Sequence, residues 1–314
     1  KAIQGSAEYD QQFNEAIGSG LDVEASYWEL VTSDISAALD ILRPVYDQSE
    51  GLDGFVSVEV DPGLARNSAG TEASARELDE RLAAPNLYIK IPATAEGLAP
   101  IQHMISEKRS INVTLIFSLE RYAAVMEAYL AGLEAAPGDL SDISSVASFF
   151  ISRVDVEIDR RLDEIGTKEA LALRGKAAVA NGKLAYELFR QTFAGPRWEA
   201  LVERGARVQR PLWASTSTKS PNYPDTLYVD ELIGPDTVNT LPDNTLEAFE
   251  HHGTVARTVD EGVPEAHAVI EALAGLGIHM DEVTQKLEDE GVAAFEKSFD
   301  ELLAALGEKA TGLT

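Results

Sequence analysis

There is no cysteine among the 314 residues, which excludes disulfides, thiolate nucleophiles and cysteine metal sites. Histidine is scarce: the five are His103, His251, His252, His267 and His279, and no two are spaced as His-x-x-x-His, which argues against a structural zinc site. Cations are few as well. Lys and Arg number 26 against 53 Asp and Glu, a net charge of −27. A surface this acidic repels phosphate backbones and anionic lipid, so neither nucleic acid nor membrane is an expected partner. An anionic substrate would need local cations set against that field. No apolar run approaches the roughly 20 residues of a membrane-spanning helix. No basic, apolar leader opens the chain, and the expected location is the cytoplasm. Neither G-x-G-x-x-G nor G-x-x-x-x-G-K-[ST] follows any strand pattern, which leaves nucleotide-binding folds without support.

What is present is a chain with 45% hydrophobic residues, enough to bury a large core. Helical periodicity predicts helices over 6–18 and 22–48, with a local break at Asp34 and Ser36 and an apolar face continued by Ala37, Leu39, Ile41 and Leu42. Six short β-rich runs follow, at 55–60, 87–91, 111–117, 145–151, 211–215 and 237–240. Helices are predicted between them at 70–83, 96–108, 118–133, 153–165 and 168–193, with a loop over 217–236. Strands separated by helices in series imply a parallel sheet with helical crossovers. No low-complexity linker divides the chain, which reads as one α/β domain over 1–314 with a helical tail from 264.

Polar residues recur at one parity of these strands. Val56, Val58 and Val60 alternate with Ser57 and Glu59; Leu87, Ile89 and Ile91 with Tyr88 and Lys90; Ile111, Val113 and Leu115 with Asn112 and Thr114. Ser148 sits among Ala147, Phe149 and Phe150, and Arg153 lies just beyond. Buried parallel strands are usually apolar on both faces. A closed barrel accounts for the departure, because one parity packs under the helices while the other points inward, with strand C-termini lining the mouth. Thr114, Asn112 or Glu59 alone is as readily structural. A lysine flanked by isoleucines is not, since such residues are rarely buried without a partner or a task. A desolvated lysine can act as a neutral amine that attacks a carbonyl, and the iminium it forms is an electron sink for C–C bond cleavage or formation. Such chemistry needs a carboxylate, a positioned water and donors to sugar hydroxyls. Glu59, Thr114, and Asn112 with Ser148 are the candidates in that order, and Arg153 is suited to a phosphate.

The runs Ser57-Val-Glu-Val-Asp-Pro62, Tyr88-Ile-Lys-Ile-Pro-Ala-Thr94, Ile111-Asn-Val-Thr-Leu-Ile-Phe-Ser118, Ser145-Val-Ala-Ser-Phe-Phe-Ile-Ser-Arg153 and Arg210-Pro-Leu-Trp-Ala-Ser-Thr216 closely resemble transaldolases, in particular the longer actinobacterial type. The resemblance extends from about residue 20 to the end. It implies a (β/α)8 TIM barrel of the class I aldolase type, no metal and no organic cofactor. It also implies sugar-phosphate substrates, with a dihydroxyacetone unit moving from sedoheptulose 7-phosphate to glyceraldehyde 3-phosphate to give erythrose 4-phosphate and fructose 6-phosphate. Lys90 matches the Schiff-base lysine, Glu59 the carboxylate that activates the catalytic water, and Thr114 the residue that holds it. Asn112 and Ser148 match hydroxyl contacts, Arg153 the phosphate arginine and Ser215 the serine beside it; Lys219 is the candidate second phosphate cation.

The pattern departs from the family in one respect. Transaldolases carry an acid/base Asp on the first barrel strand and a Thr-Asn-Pro motif on the second, and neither occurs in register here. Six strand patterns against the eight of a closed barrel lead to the expectation that the first two βα units are missing from this sequence. Two alternatives stand beside transaldolase: a related Schiff-base lyase acting on fructose 6-phosphate, and a non-catalytic barrel or part of a bifunctional sugar-phosphate enzyme. Monomer and homodimer both fit the sequence.

Overall fold

The computed structural model describes residues 8–311. It opens with two helices, α1 (Glu8–Gly18) and α2 (Val23–Gln48). The first two residues of the predicted 6–18 helix lie outside the described residues. Asp22 starts α2, its carboxylate accepting from the Ala25 amide at 2.8 Å. The break expected at Asp34 and Ser36 does not occur. Both residues are exposed on an amphipathic helix, where a polar side chain costs little, and α2 continues even through Pro44. The apolar face is also narrower than expected: Leu30 and Leu39 are buried, but Ile41 is 74% exposed.

The alternation then runs β1 (Val56–Glu59), α3 (Ser68–Leu82), β2 (Leu87–Pro92), α4 (Leu98–Ser106), β3 (Ile111–Ile116), α5 (Leu119–Ala135), β4 (Ser145–Phe150) and α6 (Ser152–Ile165). Next come α7 (Lys168–Leu171), α8 (Ala177–Thr192), α9 (Pro196–Val202), β5 (Arg210–Ala214), α10 (Leu227–Asp230), β6 (Val238–Asn239), α11 (Asp243–His252), α12 (Val263–Gly275) and α13 (Met280–Thr311). All pairings are parallel and sequential, giving one six-stranded sheet in the order β1 to β6. The sheet is open and curled, with β1 and β6 at its edges, as in an incomplete (β/α)8 barrel. Among the described residues no helix is long and apolar enough to cross a membrane.

Several helix boundaries differ from the sequence reading. The helix expected over 168–193 is two, because the intervening Gly175 adopts φ +69°. The tail likewise divides into α12 and α13 around Gly277 at φ +80°. Helices α9 and α11 were not anticipated, although Pro196 at the start of α9, after Gly195 at φ +82°, is a recognisable start signal. The segment read as a loop contains the short α10.

The outward parity of the strands forms the core. Ile89, Ile91, Ile111, Val113, Phe149 and Trp213 are buried beneath Ile101, Met104, Tyr122, Tyr129 and Ile158 of the surrounding helices. Burying each such side chain stabilises the fold by roughly 1.5–3 kcal/mol. At the N-terminal end of the sheet, Arg210 spans the opening: it donates to Leu52 O at 3.0 Å ahead of β1 and to Thr237 O at 3.3 Å ahead of β6. Arg207 adds bonds to Gly51 O at 2.6 Å and Glu50 O at 2.9 Å. Above them Phe55 stacks on Tyr88 with ring centroids 4.1 Å apart. The lower end is thus packed, and the C-terminal end is where polar side chains gather.

Candidate active site

The strand register sets the site. Glu59 pairs with Lys90, and Lys90 with Asn112, so the three stand in one row on one face of β1, β2 and β3. Lys90 Nζ donates to Glu59 Oε2 at 3.0 Å. The lysine is less enclosed than its isoleucine neighbours suggested: its side chain is 25% exposed and that of Glu59 is 24%. Ile89 and Ile91 are fully buried in the core, while Lys90, on the opposite face of the strand, is only partly buried.

Beside this pair runs a hydrogen-bonded chain. Ser148 Oγ donates to Asn112 Oδ1 at 2.8 Å, and Asn112 Nδ2 donates to Ser57 Oγ at 3.1 Å. Both amide atoms are engaged, which fixes the amide's orientation. The chain links β4, β3 and β1 across the inner face. Thr114 is buried, and its hydroxyl makes no hydrogen bond to another described residue. Directly after it Leu115 adopts φ +60°, and the pairing steps from Val113↔Ala147 to Ile116↔Phe149. That is one extra residue on β3, a bulge at the mouth end of the strand. A leucine in this region costs about 1–2 kcal/mol, a strain often found beside functional groups.

Arg153 is the second residue of α6, and its guanidinium carbon lies 5.4 Å from the centre of the Phe150 ring. Among the described residues it has no salt bridge or hydrogen bond. The acids of its own helix are otherwise engaged: Glu157 binds Arg160, Arg161 and Lys286, while Asp155 and Asp159 bind backbone amides and tyrosines. Burial disfavours the guanidinium charge, with the field of Glu290 opposing that effect. An unpaired arginine in a chain of net charge −27 is a ready partner for an external anion. Helix α13 crosses above it at Gly291, where an added Cβ would meet Leu115 Cδ2 at 3.1 Å and Arg153 Nη1 at 3.6 Å.

Ser215 follows β5 at φ +58° and faces Ser152, with the two hydroxyl oxygens 2.8 Å apart. It is therefore at the entry of the helix that carries Arg153. Lys219 is not joined to that group. It is exposed and donates to Ser217 Oγ at 2.5 Å. The structure thus brings Glu59 to Lys90, Asn112 to Ser148, and Ser215 to the start of α6. The sequence reading assigned no role to Ser57, whose parity already matched Glu59, or to Phe150 and Ser152. The Ser152–Ser215 contact spans 63 residues and has no local signal. Among the described residues no cluster of three or more His, Asp or Glu is placed to hold a metal ion.

Residues 1–306 match the family described as Transaldolase/Fructose-6-phosphate aldolase. The Transaldolase of Parafrankia sp. (strain EAN1pec) is 52% identical over 313 residues, covering 98% of this chain and 85% of the relative. The Transaldolase of Acidothermus cellulolyticus is 52% identical over 310 residues, covering 98% and 83%. Transaldolase 1 of Streptomyces coelicolor is 53% identical over 311 residues, covering 98% and 82%.

Proposed function

Because the chain belongs to the transaldolase/fructose-6-phosphate aldolase family, we propose that it carries out the aldol transfer of the pentose phosphate pathway with Lys90 as its Schiff-base nucleophile. The observation that carries the assignment of Lys90 is the 3.0 Å Lys90–Glu59 pair at the open end of the sheet. Glu59 takes a proton from the ammonium, and the neutral amine attacks the ketone carbon of the donor sugar phosphate. The same carboxylate returns the proton to the carbinolamine hydroxyl, which leaves as water, and the iminium forms. Cleavage of the bond between the carbons α and β to the iminium sends its electron pair into the iminium, while the hydroxyl proton on the β carbon passes through a water to the carboxylate of Glu59; an enamine is left on Lys90 and an aldose phosphate is released. Attack of the enamine on the acceptor aldehyde reverses the sequence, and hydrolysis frees Lys90.

Thr114, with its unengaged hydroxyl, holds the water used in these proton transfers. Asn112 and Ser148, already aligned by their mutual hydrogen bond, contact the sugar hydroxyls. Arg153 and Ser215 bind the phosphate, with Lys219 as the second cation. The donor and acceptor are sedoheptulose 7-phosphate and glyceraldehyde 3-phosphate, no metal or organic cofactor takes part, and the place of action is the cytoplasm. Borohydride reduction with fructose 6-phosphate followed by peptide mapping tests the nucleophile: the adduct is expected on Lys90, and an adduct on another lysine overturns the assignment. Release of free dihydroxyacetone without an acceptor, at a rate matching transfer, would show a lyase instead.

A further inference from the structure

Three residues of α6, Ser152, Asp155 and Asp159, fall at i, i+3 and i+7 and so share one helix face. Each holds a residue from the segment that follows β5. Ser152 Oγ meets Ser215 Oγ at 2.8 Å, and its amide donates to Ser215 O at 3.0 Å. Asp155 Oδ2 accepts from Tyr228 OH at 2.8 Å, and Asp159 Oδ2 accepts from Tyr223 OH. The Tyr223 ring lies flush on Gly175, where an added Cβ would come within 2.7 Å of the ring. The same Asp159 accepts from the Gly175 amide at 2.9 Å, and Asp155 from the Ala178 amide at 2.8 Å. Thr216 adds a tie to Asn239 Oδ1 at 2.8 Å. Between these anchors Lys219, Pro221 and Asn222 are exposed.

From this we infer that Asp155 and Asp159 are positioning residues: together with Ser152 they fix the strap 215–228 against the helix that bears Arg153, and so set the phosphate site's geometry. The inference rests on reading Arg153 and Ser215 as that site. Helix α6 serves as a ruler. Its first turn presents Arg153, and one face over two turns fixes both ends of the strap that carries Ser215 and Lys219. None of the anchoring groups touches Lys90 in the structure, so loosening them should act on phosphate binding more than on the chemical step.

Tyr223→Phe removes the bond to Asp159 and keeps the ring on Gly175; Asp159→Ala removes the same bond together with the one from the Gly175 amide. Each is expected to raise KM for fructose 6-phosphate about fivefold to tenfold. For each, kcat should stay within about twofold, and trypsin should cleave after Lys219 faster than in the wild type. The double variant should be no worse than Asp159→Ala alone, since the tyrosine bond is already gone in that variant. Faster cleavage with unchanged KM would show a strap that does not serve the site, and no change in either would show that the tyrosine does not hold it; both overturn the inference. Arg153→Ala separates the two readings. If it raises KM and Tyr223→Phe does not, this inference alone falls. If Arg153→Ala leaves KM unchanged, the phosphate reading falls.

Discussion

Replacing Asp155 with asparagine should change how stability depends on pH. Asp155 is 1% exposed. Burial pushes its carboxyl up from an ordinary 3.8 to about 6, against the bonds from Ala178 N and Tyr228 OH, and the nearby Asp159 charge adds to the rise. Between these two values the folded protein holds a proton that the unfolded chain has released. The stability this group contributes is full below about 3.8 and is lost as pH rises through about 6. A difference of about two pH units corresponds to roughly 3 kcal/mol, an order-of-magnitude figure. The substituted amide does not titrate, and its oxygen can still accept from the Ala178 amide. The assay is urea unfolding of wild type and Asp155→Asn at intervals from pH 7 to pH 4. The quantity to follow is the stability of the wild type minus that of the variant, because other carboxyls then cancel. It should rise by about 2–3 kcal/mol on acidification, with the change centred near pH 5. A flat difference would mean that Asp155 titrates alike in both states. A difference falling on acidification would mean that its hydrogen bonds outweigh burial. Either result refutes the reasoning.

Arg153→Ala should raise KM at least about tenfold for phosphorylated donors and hardly at all for unphosphorylated dihydroxyacetone donors, as measured by steady-state kinetics. Glu157→Gln should destabilise the protein by about 1–3 kcal/mol at pH 7, because it weakens the anchorage of Lys286 on α13 to α6. Glu157 is held down to about 2, chiefly by Arg160, so its contribution is present above an ordinary 4.5 and lost as pH falls toward 2; the variant should lack that acid-limb loss in urea unfolding. Gly291→Val should press on Leu115 and Arg153, lowering the thermal midpoint through about 1–3 kcal/mol of overpacking and raising KM with it. An unchanged KM would show that α13 does not shape the anion site.

The strands and their parity were legible because a buried parallel sheet has little tolerance for polar side chains, so Glu59, Lys90, Asn112 and Ser148 stood out against valine and isoleucine. The Glu59–Lys90 contact itself needed the register, which lies in the sheet and not in either strand. Helix interiors were legible by period, and their ends less so: Gly175 and Gly277 divide helices that the apolar pattern joins. The bulge at Leu115 left no trace, since a leucine gives no sign of a left-handed backbone. Nor did the tyrosine anchors of the strap, because a Tyr at 223 and an Asp at 159 acquire meaning only once α6 and the segment after β5 lie side by side.

Arginines at the N-terminal end of the sheet donate to peptide oxygens: Arg204 to Leu133 O and Gly138 O, Arg207 to Gly51 O and Glu50 O, Arg210 to Leu52 O and Thr237 O. Dissolved ions screen attraction between full charges far more than a short bond to a neutral dipole. Rising ionic strength should therefore weaken surface pairs such as Arg197–Glu127 and Arg43–Asp47 while relaxing the mutual repulsion of a chain of net charge −27. The arginine brace under the sheet would be largely indifferent to both effects. In brine, the lower end would hold its shape while the helical exterior exchanged its charge partners for counterions.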